Sequence, residues 1–151
     1  RNHICAKNKI EHEGDLAYGK GYALILNEFA RVLMKLSMLP YGLVLISHAT
    51  VQEIQTRTGA MHKVVPSLPD KPRKLVLGMA DMILFFDQDI VRADDGKQTI
   101  RRVIRTQPSP NYEAGDRTGR LPDVIDLDYR KFVDAFGRPA QPAANTNKKA
   151  Q

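Results

Sequence analysis

Two uninterrupted apolar runs, Leu43-Val-Leu-Ile46 and Met82-Ile-Leu-Phe-Phe86, constrain this chain more than any other feature. A strand with one wet face alternates apolar and polar residues. A run without alternation reads instead as a strand covered on both faces, as strands of a parallel sheet are. The first run ends in Ser47-His48 and the second in Asp87, polar residues at the carboxyl edge where open α/β sheets hold ligands. The stretch between them is long enough for a crossover, so the two are expected to be neighbouring parallel strands of one sheet.

The flanking text supports an α/β chain of about one domain in 151 residues. Leu24, Ile25, Phe29, Val32, Leu33 and Leu36 fall at helical spacing, with Asn27, Glu28, Arg31 and Lys35 opposite, which predicts an amphipathic helix over residues 22–37. Pro40-Tyr-Gly42 ends it. Residues 51–57 and 60–65 alternate loosely around Thr58-Gly59, the pattern of a β-hairpin or of a mobile loop of similar shape. Pro66, Pro69 and Pro72 precede a short helix over 73–79. Residues 90–92 and 99–106 flank Asp94-Asp-Gly96, a turn signal that gives a second hairpin. A polar loop with Gly115 and Gly119 covers 111–121, and a last helix covers 128–136 with Asp128 as its cap. Residues 138–151 are expected to form a disordered tail.

Gly14-Asp-Leu-Ala-Tyr-Gly19-Lys20-Gly21 is one residue short of the phosphate cradle G-x-x-x-x-G-K-[ST]. Gly21 stands where a Mg²⁺-holding hydroxyl belongs, and the polar run 7–13 before it is no core strand. The segment reads as a Gly-rich surface loop that opens a helix. His3, Cys5 and His12 match no zinc spacing and read as a solvated terminus. One cysteine excludes an internal disulfide and fits a reducing cytosol. There is no membrane-length apolar run, and the opening at Arg1 in polar text suggests a fragment whose beginning lies upstream. Of the net charge of +6, Lys148 and Lys149 contribute two in the tail; the remainder concentrates over 57–74 and 97–105, which admits an anionic partner without requiring one.

Tyr18-Gly-Lys-Gly-Tyr22, Leu39-Pro-Tyr-Gly42, Ile46-Ser-His48, Val76-Leu-Gly-Met79-Ala-Asp-Met-Ile83 and Tyr112-Glu-Ala-Gly-Asp-Arg-Thr-Gly-Arg-Leu-Pro122 together resemble the phage-encoded RecA-like ATPases. These are P-loop proteins of recombination and single-strand annealing. The likeness covers roughly residues 15–136, and the block from Tyr112 to Pro122 is its most specific part. In that family the phosphate cradle and the Mg²⁺-binding aspartate precede the segment resembling Tyr18 to Tyr22. The resemblance therefore implies the C-terminal part of such a domain over residues 1–137. It would be a partial RecA-like core, mostly parallel sheet with flanking helices and β-hairpins, and inactive alone.

The resemblance also implies roles. Ser47 and His48 stand at the strand edge that senses the γ-phosphate, against the alternative of a capped strand end with a satisfied histidine. The excursion after that strand contacts DNA in the family. Here Arg57, His62 and Lys63 could meet phosphates, joined by Lys71, Arg73 and Lys74, or the hairpin is merely solvated. It carries no aromatic residue for stacking. Arg101, Arg102 and Arg105 lie where related ring and filament ATPases reach a neighbouring subunit's nucleotide. Arg102 and Arg105, three apart on a strand, fall on opposite faces. Arg117 and Arg120 in the Gly-rich loop are alternatives for nucleotide contact. ATP and Mg²⁺, single-stranded DNA, a homo-oligomer, no membrane, and the cytoplasm of a bacterial host carrying the phage or prophage complete the implied picture. The competing readings are a non-enzymatic DNA- or protein-binding module and an inactive prophage remnant.

Overall fold

In a computed structural model of the chain, residues 2–57, 59–92 and 96–137 are described. Thr58, Asp94 and Asp95, where turns are expected, and the tail expected over 138–151 lie outside them. The chain divides into two compact units, Arg1–Ala49 with Pro66–Met79, and Thr50–Val65 with Ala80–Gln151.

The first unit is helical. Its main element is α2 (Lys20–Ser37), two residues longer at its start than the apolar spacing predicts. Leu33 is buried, and Leu24, Ile25 and Phe29 are half-buried. Val32 and Leu36, on the same apolar face, stay exposed. Asn27, Arg31 and Lys35 face water as expected. A helix that the sequence did not announce, α1 (Asn2–Lys7), packs beside α2 and buries Ile4 and Cys5. The expected solvated terminus is thus partly a packed one. α3 (Asp70–Met79) also packs on α2. Its Pro72 sits in the first turn, where a missing N–H costs nothing.

Between α1 and α2 the chain makes two 3-10 turns, Glu13–Asp15 and Ala17–Gly19. The Asp15 carboxylate accepts from the backbone N–H of Glu11 (3.1 Å) and His12 (2.7 Å), while His12 Nδ1 accepts from Gly14 N–H at 3.0 Å. The glycine-rich segment does open a helix, but Gly21 is buried. A Cβ built on it would lie 2.0 Å from the Glu13 carbonyl oxygen. Backbone presses on backbone there, and only glycine permits that approach.

The expected strand at residues 43–46 does not form. The segment has no assigned secondary structure, and no strand pairs with it among the described residues. Its side chains are exposed, Val44 at 80% and Ile46 at 95%. Unbroken apolarity says that a segment gains by being covered; it does not supply the neighbour.

The second unit is built from antiparallel strands. β1 (Ala49–Thr56) and β2 (Gly59–Pro66) form a two-stranded sheet, the first expected hairpin. The other apolar run is divided between two strands. β3 (Met82–Ile83) pairs antiparallel with β6 (Gly115–Asp116), and β4 (Phe85–Arg92) pairs antiparallel with β5 (Gln98–Arg105). β5 also pairs antiparallel with β7 (Val124–Asp126). The mixed α/β class holds, but the expected mostly parallel sheet, with residues 43–46 beside 82–86, is replaced by small antiparallel sheets. The reason lies at Leu84, where the strand changes partner. Met82 and Leu84 are apolar because they pack on the core, not because a parallel sheet encloses them.

That core consists of Ile104, Leu121, Ile125 and Ala135, with Met82, Leu84, Phe132 and Phe136 packed against it. Phe132 and Phe136 come from α4 (Tyr129–Phe136) and stack with centroids 6.3 Å apart. Asp128 caps this helix as expected, its carboxylate accepting from Lys131 N–H at 3.0 Å.

Gly21→Ser would restore the lettering of the phosphate cradle while forcing a side chain into the Glu13 backbone. It is expected to destabilise the chain by about 2 kcal/mol or more and to confer no nucleotide binding. Gly78→Ala in α3, where an added Cβ meets nothing within 4 Å, is expected to change stability in the opposite direction by roughly 0.5 kcal/mol. Chemical denaturation of both variants checks the pair; a Gly21→Ser protein as stable as the parent would contradict the packing argument.

Candidate functional site

In the second unit the most ordered polar construction is the turn after β6. Asp116 Oδ1 accepts from Thr118 N–H (2.8 Å) and from the Thr118 hydroxyl (2.6 Å). Its Oδ2 accepts from Arg120 N–H (3.0 Å) and Leu121 N–H (2.9 Å). Burial works to raise this carboxyl's pKa. The hydrogen bonds from the Thr118 side chain and from the backbone of Leu121, Thr118 and Arg120 outweigh it, and the net shift is downward. Gly119 closes the turn at φ +64°, in the left-handed region. The sequence signal for this was present: an aspartate two residues before a threonine and followed by a glycine is an Asx-turn pattern.

The turn presents two of the expected nucleotide-contacting arginines. The guanidinium of Arg120 lies 5.1 Å above the Phe136 ring. Arg117 is anchored through its backbone, its N–H donating to the Asp81 carbonyl at 2.9 Å.

The β4–β5 ladder separates Arg102 from Arg105 by face. Arg105 lies opposite Phe85, and Arg102 opposite Gln88. On the Arg105 side, Nε donates to Asp87 Oδ2 at 2.6 Å and Nη2 donates to Asp89. The guanidinium also sits 5.4 Å from the centre of the Tyr112 ring, which itself stacks on Phe85 at 5.1 Å. Arg101, on the same face, pairs with Asp126, which Lys131 also reaches. Burial would raise Asp87, but the bonds from Arg105 and from Gln88 N–H, with the Arg105 charge, hold it below its ordinary value. The hydrogen bond to Asp87 raises Arg105 in turn. Asp87, Asp89 and Tyr112 are the partners that sequence reasoning missed, because their pairing depends on register. Arg102 is exposed and makes no ion pair among the described residues.

The remaining candidates divide between the units. In the first, Ser47 and His48 are exposed; the Ser47 hydroxyl donates to the His48 carbonyl (2.9 Å), which also accepts from Ser67 N–H (2.7 Å). Arg73 is buried, donating to Asp70 (2.6 Å) and to the Leu68 carbonyl (3.2 Å). Lys74 pairs with Asp70 at 2.8 Å, and Lys71 is exposed. The hydrogen bond from Lys74 is the main cause that lowers Asp70. In the second unit, Arg57 and His62 are exposed, whereas Lys63 is committed to Glu113 at 2.7 Å. Among the described residues no group of histidine, cysteine and carboxylate side chains is placed to hold a metal, and no helix is long and apolar enough to cross a membrane.

Compared with known proteins, residues 1–118 match the family model described as AAA domain. No curated protein and no solved structure matches the chain.

The geometry separates two arginines that look alike in sequence. Arg105→Ala leaves Asp87 and Asp89 without their cation and is expected to destabilise the chain by about 2 kcal/mol. Arg102→Ala is expected to stay within about 0.5 kcal/mol of the parent. Thermal melts of the two variants decide the point. Asp116→Ala, which strands the N–H groups of Thr118, Arg120 and Leu121, is expected to cost about 2 kcal/mol. Because the folded Asp116 and Asp87 carboxyls lie below the ordinary value of 3.8, their contribution is complete above that value. It is lost as the pH falls through the folded values. Melts in an acid series should show this loss in the parent and a smaller one in Asp116→Ala.

Proposed function

This chain belongs to the AAA domain family, and we propose that it is the C-terminal part of a RecA-like ATPase, encoded by a phage or prophage, that acts on single-stranded DNA in recombination or annealing. The observation that carries this reading is the family match across residues 1–118, which takes in both the glycine-rich opening of α2 and the β4–β5 hairpin. The motifs from Tyr18 to Pro122 that resemble phage RecA-like proteins supply the narrower class.

ATP and Mg²⁺ are the cofactors of this class. The Gly14 to Gly21 segment does not fit them: position 21 has no hydroxyl and no room for one, so no step of hydrolysis is assigned to it. What the chain offers a nucleotide is cationic or hydrogen-bonding: Ser47 and His48 at one place, Arg117 and Arg120 at another. Of the two strand arginines, Arg102 suits contact with a neighbouring subunit's phosphates in a homo-oligomer, because Arg105 is already bound to two carboxylates. Similarly, Arg57, His62 and Lys71 are the exposed DNA candidates that make no ion pair among the described residues. Lys63, Arg73 and Lys74 hold carboxylates of their own chain. The bacterial cytoplasm is the setting that this role requires.

Two outcomes test the reading. Purified chain is expected to show no steady-state ATP turnover; turnover abolished by Lys20→Ala would overturn this and restore the segment as a cradle. Binding to single-stranded DNA is expected to weaken steeply with salt, with Arg57→Ala lowering the log–log salt slope by about one unit and Lys63→Ala lowering it less. An unchanged slope in Arg57→Ala would remove the hairpin from the DNA surface and favour a module that binds protein.

A further inference from the structure

We propose that Tyr18, Lys20 and Tyr22 form a stacking platform for single-stranded DNA, an inference that rests on the DNA-binding reading above. Single-stranded nucleic acid is held by cations and aromatic rings together. The rings are found in the first unit. Tyr18 is 99% exposed and Tyr22 is 55% exposed, so each leaves a ring face open to a base. Between them in sequence, Lys20 is exposed and makes no ion pair among the described residues. Two exposed rings that flank one cation in sequence suit two successive bases and the phosphate that joins them.

The segment is also held firmly. Gly21 is wedged against the Glu13 backbone, and Asp15 ties the preceding turn by accepting from Glu11 and His12. Tyr18 is kept at φ 58°, a left-handed conformation that disfavours a side chain of this kind. An aromatic ring in that conformation, with its whole surface in water, contributes nothing to packing. Glu13 is buried, and the exposed Asp15 carboxylate is occupied by the backbone N–H groups of Glu11 and His12. Gly19, where an added Cβ would meet nothing within 4 Å, leaves the approach between ring and lysine open. The occupant is a polynucleotide and not a free nucleotide, because the platform has two stacking positions for one phosphate contact.

The experiment is fluorescence anisotropy of labelled oligo(dT) titrated with the purified chain at several salt concentrations. Tyr18→Ala and Tyr22→Ala are each expected to weaken binding about tenfold, and Tyr18→Phe, which keeps the ring, to bind like the parent. Lys20→Ala is expected to lower the salt slope by about one unit. ATP or thymidine monophosphate should not compete at concentrations where unlabelled oligo(dT) does. Since Tyr18 is 99% exposed, a melt matching the parent's confirms that its variants are folded. If the parent binds oligo(dT) but Tyr18→Ala and Tyr22→Ala bind equally well, the platform is wrong while the DNA reading stands. Equal losses in Tyr18→Phe and Tyr18→Ala, or competition by free nucleotide, also overturn it. If the parent does not bind oligo(dT), the platform and the DNA reading fall together.

Discussion

The Asp116 carboxylate fixes the second unit's most elaborate turn. One side chain takes hydrogen bonds from Thr118, Arg120 and Leu121, which converts a polar, glycine-containing loop into a fixed corner. Two consequences follow in opposite directions along the chain. Leu121 is delivered into the core beside Ile104, Ile125 and Ala135, and Arg120 is laid over Phe136 of α4. Upstream, Asp116 is itself a rung of the β3–β6 ladder opposite Met82, so the strand that changes partner at Leu84 is anchored to the same residue. Charge-assisted hydrogen bonds are among the stronger polar interactions available to a small fold. Here several of them meet on one group.

The β4–β5 hairpin shows how the period-two rule sorts charge. One face carries Asp87 and Asp89 on β4 with Arg101 and Arg105 on β5, and Asp126 of β7 extends the row. Opposite signs alternate there, so each arginine is a structural cation. The other face carries Gln88 and Arg102, with Phe86, Ile90 and Ile100 exposed around them. Two arginines three positions apart thus do different work, since moving an odd number of residues along a strand changes the face.

Much of this was legible from residue order. The spacing of Leu24, Phe29 and Leu33 marked α2, and Asp128 marked the start of α4. The alternation around Thr58-Gly59 and the Asp94-Asp-Gly96 turn located both pairs of strands, since these signals are local. What could not be read was pairing. Whether Met82 to Phe86 lies in a parallel sheet depends on which segment comes alongside, and the segment that does, β6, is two residues of a polar loop. α1 escaped notice because a polar stretch with only Ile4 and Cys5 facing inward has no clear period. The same limit governed the site. The arginines were visible as residue types, but the commitment of Arg105, Arg73 and Lys63 to carboxylates depended on register and fold.

The bare stretch at residues 43–46 has a practical meaning. Leu43, Val44, Leu45 and Ile46 form an uncharged, proline-free segment whose side chains are all exposed. Among the described residues no backbone hydrogen bond engages it, which is the condition under which chains add to one another edge to edge. These four residues therefore work against the dispersing effect of the net charge of +6. A single charged or proline gatekeeper placed among them would do more to keep the chain dispersed than further lysines elsewhere on its surface.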